Sequence, residues 1–216
     1  MTRTSSLLAS AVLALVFGLV AAGTASADAP VTSETRSVAA FHAISVPGTL
    51  KVEITVGKPA RVEVSGETDL LAKLTTTVKD GVLVIDTPKR MRGRNHLRAT
   101  ITVPELDAIE LSGTAQVTAA GLAAAGLALR IPGTGSITVT GTTGTMEVAI
   151  DGTGEINADK LSAKDARVAI GGTGQASVRA SQSVEVSVSG TGSVNIAGNP
   201  PRVKKSVTGT GSVHMR

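Results

Sequence analysis

Between Val38 and Asp86 the chain alternates short apolar and polar positions. Ile44 and Val46, then Leu50, Val52, Ile54 and Val56, then Val62 and Val64 each take every second place. A period of two predicts β-strands with one buried face. Asp80-Gly81 predicts a tight hairpin turn into Val82-Leu83-Val84-Ile85. Ala99, Ile101 and Val103 resume the alternation until Pro104. No stretch keeps helical spacing, because the alanine-rich run at 119–128 is broken by Gly121 and Gly126.

From Ser112 onward the alternation acquires a longer period. Six Gly-Thr copies return every 18 to 20 residues, with first glycines Gly113, Gly133, Gly152, Gly172, Gly190 and Gly209. Five of them continue as Gly-Thr-Gly through Gly135, Gly154, Gly174, Gly192 and Gly211, while the first has Ala115, which predicts a looser first corner. In the third copy Met146, Val148, Ile150, Gly152, Gly154, Ile156 and Ala158 share one phase, so the glycines fall on the inward side. Inward glycines mark a bend where backbones approach closely. Strand, glycine corner, strand and short return make one turn of a stacked-repeat fold.

The expected fold is therefore all-β: a right-handed parallel β-solenoid of about six rungs, preceded by shorter strands stacked on its N-terminal end. Aligning the copies predicts inward columns Ile131, Ile150, Ile170, Val188, Val207 and Val117, Ile137, Ile156, Ala176, Val194, Val213. Outward, Thr114, Thr134, Thr153, Thr173, Thr191 and Thr210 should form a ladder. Lys205 and Asp107 fall at inward positions of the last and first rungs, where a charge blocks further edge pairing. A lightly capped last rung leaves room for a homo-oligomer through the solenoid ends.

The N-terminus changes where this fold is expected to operate. Arg3, an apolar run from Leu7 to Val20 and Ala25-Ser26-Ala27 read as an export signal cleaved after Ala27. The expected organisation is a signal at 1–27, a flexible segment at 28–37 and one domain at 38–216. That domain divides into N-terminal strands at 38–110 and Gly-Thr-Gly rungs at 111–216. No second long apolar run follows, so no membrane-spanning segment is expected in the mature chain, which would be periplasmic or extracellular. The chain has no cysteine, which excludes disulfides, thiol nucleophiles and lipid attachment at a cysteine. Its only aromatics are Phe17 and Phe41, which suits a thin aliphatic core.

The formal charge of +4 becomes +3 once Arg3 is removed. Lys89, Arg90, Arg92, Arg94 and Arg98 crowd one loop, either as a solvated connection or as a patch for anionic envelope polymer. Nucleic acid is not an expected partner of an exported chain with almost no stacking aromatics.

Catalysis in this fold would need carboxylates on adjacent rungs. The columns beside the corner supply only Asp151 and Glu155, on one rung. His42, His96 and His214 are dispersed singles without metal-ligand spacing. The Gly-Thr-Gly copies lack the Lys-Ser/Thr and helix of a phosphate loop. No catalytic, metal or cofactor residue is therefore assigned. Thr153 and Thr173 are followed by Glu155 and Gln175, which breaks the paired Thr-x-Thr plane of an ice-binding solenoid.

Phe41-His42-Ala43-Ile44-Ser45-Val46, Ile101-Thr102-Val103-Pro104-Glu105-Leu106 and Ile109-Glu110-Leu111-Ser112-Gly113-Thr114, leading into the Gly-Thr-Gly rungs, carry a family resemblance. In that order they resemble the bacterial auto-transporter adhesin, head GIN domain family across essentially the whole mature chain. The resemblance implies an exported β-solenoid head with an adhesive or surface role and no established catalytic residues. The expected function is a non-catalytic envelope protein binding surface polysaccharide or another envelope component. A structural, self-associating solenoid is the alternative, and a polysaccharide-acting β-helix enzyme a second one.

Overall fold

The computed structural model describes residues 31–57, 59–87 and 97–216, so the segment expected to be an export signal and most of the basic loop lie outside the described residues. The chain runs β1 (Val31–Arg36), β2 (Ala43–Ser45), β3 (Thr49–Val56), β4 (Arg61–Glu67) and α1 (Thr68–Leu71). It continues as β5 (Thr75–Lys79), β6 (Val82–Asp86), β7 (Arg98–Val103), β8 (Ala108–Glu110) and β9 (Thr114–Ile131). It ends with β10 (Thr134–Ile150), β11 (Thr153–Ile170), β12 (Thr173–Val188), β13 (Thr191–Ala197), β14 (Arg202–Val207) and β15 (Thr210–Met215).

From β9 onward every pairing is parallel and joins one copy of the repeat to the next, making a β-solenoid of about 5 turns. Both predicted inward columns pair in register, although Val207 at the open end of the first is exposed. Ile150 pairs with Ile131 and Ile170, and Ile156 pairs with Ile137 and Ala176. All of these side chains are fully buried. Parallel stacking places them in rows roughly 4.8 Å apart, with no helix needed to cover the sheet. Turn lengths differ, and the surplus residues are absorbed by register shifts away from the corner, at Thr138/Thr140 between β10 and β11 and at Ala158/Ser162 between β11 and β12. The Gly-Thr corners themselves stay in register.

The corner glycines answer to the neighbouring turn. A Cβ on Gly133, Gly152, Gly172, Gly190 or Gly209 would lie closer than 3.0 Å to a backbone carbonyl of the preceding corner. That same carbonyl holds the stack together: Thr153 N–H donates to Gly133 O, Thr173 N–H to Gly152 O and Thr191 N–H to Gly172 O, each at 2.9 Å. Only a residue without a side chain lets the turns close to hydrogen-bonding distance. Ala115 does not loosen the first corner. It is buried and in register with Gly135 above and Leu50 below.

The N-terminal strands are part of the stack. Pro47-Gly48-Thr49 forms a seventh corner beneath the first predicted one, with Gly113 N–H bonded to Val46 O and Thr114 N–H to Gly48 O. There β2 and β3 continue the parallel rows of β8 and β9, and β6 and β7 lie beneath β2 and β3. Antiparallel strands then close this end: β4 on β7, β1 on β4 and β5 on β6. Asp80 and Gly81 turn β5 into β6 with φ of 51° and 77°, both left-handed, which favours Asp-Gly there.

Two expectations are corrected here. Val31–Arg36, placed in a flexible segment, is the strand β1, held by backbone pairing to β4 because its side chains are almost all exposed. Asp107 is not at an end of the stack, since β2 and β6 lie below its strand. The charges on the outermost strand at that end belong instead to β1, where Arg36 is half-buried and Glu34 exposed. Arg36 sits opposite buried Val62, meets Glu34 at 3.0 Å and donates to Leu71 O at 2.9 Å. A charged pair on an outermost strand discourages further strand addition.

Candidate functional site: a hydroxyl trough beside the corner

The corner that demands glycine on its inner side leaves the next residue facing solvent. All six ladder threonines are exposed and in unbroken register from Thr114 to Thr210. Thr49 extends the ladder downward, paired with Thr114. Two residues on, a second outward column runs Gln116, Ser136, Glu155, Gln175, Ser193 and Ser212.

Between the columns lie Gly135, Gly154, Gly174, Gly192 and Gly211, so the floor has no side chains. The result is a long, open trough of about 900 Å³ lined by Thr, Gly and the Ser/Glu/Gln column from the second turn to the last. Among the described residues, the one side-chain hydrogen bond made by its lining joins Ser212 to His214 at 3.0 Å. The remaining hydroxyls and amides face water with both donor and acceptor capacity open.

The strands that lead into each corner carry a different pattern outward. Glu147, Arg167, Glu185 and Lys204 stand in register on β10, β11, β12 and β14. Glu185 meets Arg167 at 3.0 Å and Lys204 at 2.9 Å, and Arg130 approaches Glu147 at 3.8 Å. Hydrogen bonds from Lys204 and then Arg167 hold the Glu185 carboxyl below its ordinary pKa. Cross-strand pairs of opposite sign favour this register over its neighbours. The sequence reading missed this ladder, although aligning the strands before each corner, as was done for the apolar columns, exposes it.

The other predicted positions separate. Arg98 opens β7 and is paired with Glu53 at 3.0 Å, while Lys89, Arg90, Arg92 and Arg94 lie outside the described residues. Asp151 and Glu155 both project outward on one turn, flanking Thr153. His42 meets Asp107 at 3.2 Å, far along the chain from His214, and His96 is outside the described residues. Among the described residues no group of three His, Cys, Asp or Glu side chains could hold a metal ion, and no helix is long and apolar enough to cross a membrane.

The family described as "Putative auto-transporter adhesin, head GIN domain" matches residues 40–200, spanning β2 to β8 and five of the six repeat corners. The chain belongs to this family. The head GIN fold is shared with a solved "putative adhesin" from Bacteroides fragilis, 22% identical, with a TM-score of 0.72 over 87% of this chain and 97% of that one. A "putative lipid binding protein" from Parabacteroides distasonis is 20% identical, covering 86% of this chain and 96% of its own at a TM-score of 0.49. A "putative adhesin" from Parabacteroides merdae is 15% identical over the same shares at 0.48. No curated protein matches the chain. The head GIN family is named for adhesion, not for a reaction.

Proposed function

We propose that this head GIN domain is a non-catalytic, exported binding module of the cell envelope that contacts surface polysaccharide through the hydroxyl trough. The observation that carries this reading is the trough itself: in-register hydroxyl and amide side chains on every turn, above a floor of bare glycine. Sugar hydroxyls both donate and accept, as threonine and serine do. Turns roughly 4.8 Å apart repeat at about the length of one sugar unit, so consecutive turns can meet consecutive sugars. Each such hydrogen bond contributes only about 0.5–1.5 kcal/mol net, and no Trp or Tyr is present for stacking. Affinity then comes from the number of turns engaged. Export with cleavage after Ala27 would deliver the domain to the periplasm or the cell exterior.

The test is a glycan array with the mature native protein and the double variant Thr153→Val, Thr173→Val. Both positions are exposed, so the change removes hydroxyls without disturbing the core. Binding should fall at least several-fold, while Thr75→Val at the capped end leaves it unchanged. Equal binding by the native protein and the double variant would remove the trough from consideration.

A further inference from the structure

The trough is nearly free of charge, and its one charged lining residue is an acid. Of the fifteen lining residues only Glu155 is an acid or a base, and it sits on the third of six repeat turns. Asp151 lies on the same turn, exposed and two residues before Thr153, so both carboxylates face outward around one threonine. Neither is among the ion pairs formed by the described residues, in contrast to Glu147 and Glu185 on the strands leading into the corner. Within the second column the nearest described cation is Lys51, three strands away through Gln116 and Ser136. Three strand spacings make roughly 14 Å, well beyond the screening length of about 8 Å at physiological salt. Lys51 is also occupied, at 3.9 Å from Glu53.

Around Glu155 the trough therefore presents a local negative potential; Arg130, diagonal to Asp151 on the turn below, lies on the strand leading into the corner and is 3.8 Å from Glu147. A polymer threading the trough must pass Glu155, because the lining is continuous across that turn. We infer that the trough selects an uncharged glycan and that Glu155, helped by Asp151, is the specificity-determining group that turns polyanions away. Like charges brought together raise the cost of the wrong partner without adding affinity for the right one. For a neutral chain the Glu155 carboxylate remains useful, since it accepts hydrogen bonds from sugar hydroxyls. This inference rests on the trough being the glycan contact. It departs from the expectation of an anionic polymer as partner, which the basic loop alone motivated.

The experiment compares mature native protein with the double variant Asp151→Asn, Glu155→Gln on neutral hexose oligosaccharides and on uronate oligosaccharides of matched length, at low and physiological salt. The native protein should hold a neutral glycan and bind the matching uronate at least tenfold more weakly. The variant should gain uronate binding several-fold, most at low salt, so that the preference for the neutral glycan over the uronate narrows. Uronate bound by the native protein as tightly as the neutral chain, with no gain in the variant, would overturn the inference and leave the trough as a glycan contact. Failure to bind any glycan, with or without the trough threonines, would overturn both.

Discussion

Gly171 and Gly172 are chain neighbours, yet they should respond oppositely to alanine. A Cβ on Gly172 falls closer than 3.0 Å to three backbone atoms of the preceding turn: Gly152 O, Asp151 O and Asp151 C. Backbone cannot swing aside as a side chain can, so the two turns must separate. Separation stretches the bonds from Thr173 N–H to Gly152 O at 2.9 Å and from Gly172 N–H to Ile150 O at 3.0 Å. Overpacking of about 1–3 kcal/mol plus about 0.5–1.5 kcal/mol for each of the two weakened bonds gives a loss of roughly 2–6 kcal/mol for Gly172→Ala.

A Cβ on Gly171, by contrast, meets only the Asp151 Oδ1 carboxylate oxygen at 3.1 Å and Ser189 Oγ at 4.0 Å. Both are ends of side chains that can move. There alanine should be neutral or stabilising by about 0.4–1 kcal/mol, through the smaller freedom of the unfolded chain. Thermal unfolding followed by circular dichroism reads the difference. In a chain of this size 1 kcal/mol moves the midpoint by about 2–4 °C, so the two variants should differ by at least about 4 °C. Equal midpoints would refute the claim that contact between turns, rather than local chain flexibility, dictates the corner glycines.

Three other outcomes follow from particular contacts. The folded pKa of Glu185 is lowered by Lys204 and Arg167, so its pairing stabilises above the unfolded glutamate value of about 4.3 and fades as pH falls through the lower folded value. Glu185→Gln should therefore lower the unfolding midpoint near neutrality and converge with native protein in acid; a difference independent of pH would contradict this. Thr49 N–H donates to buried Thr87 Oγ1 at 2.8 Å. Thr87→Val orphans that donor, and urea titration should show a loss of about 1–3 kcal/mol. Ile150→Ala opens a cavity between Ile131 and Ile170 and should cost about 2–5 kcal/mol in the same titration.

What was legible in the chain is what the fold repeats. The inward columns and the threonine ladder could be read because each turn imposes the same steric demand at the same interval, so the residue types return with it. The seventh corner escaped for the opposite reason. Pro47-Gly48-Thr49 duplicates Pro132-Gly133-Thr134, but β4, α1 and β5 intervene before the next turn above or below it is laid down. The strand β1 left no pattern at all, because it buries little and is held by its backbone. The ion ladder through Glu185 keeps a constant distance of five residues before each corner glycine, but its residue types alternate in sign from turn to turn, so no repeated residue marks it.

The same division bears on recognition. The glycines of the corner are explained by contact between turns, and the exposed threonine beside them is repeated on every turn, so neither distinguishes one turn from another. The second column does, reading Gln116, Ser136, Glu155, Gln175, Ser193 and Ser212 at equivalent places. Packing does not dictate those side chains, for they face solvent on strands whose inward neighbours are uniformly aliphatic. A uniform ladder can supply contacts to any hydroxyl-bearing chain, whereas only a varied column can prefer one. In the proposed glycan contact selectivity would therefore fall to that column, and among the six repeat turns to the position where Glu155 replaces a neutral polar group.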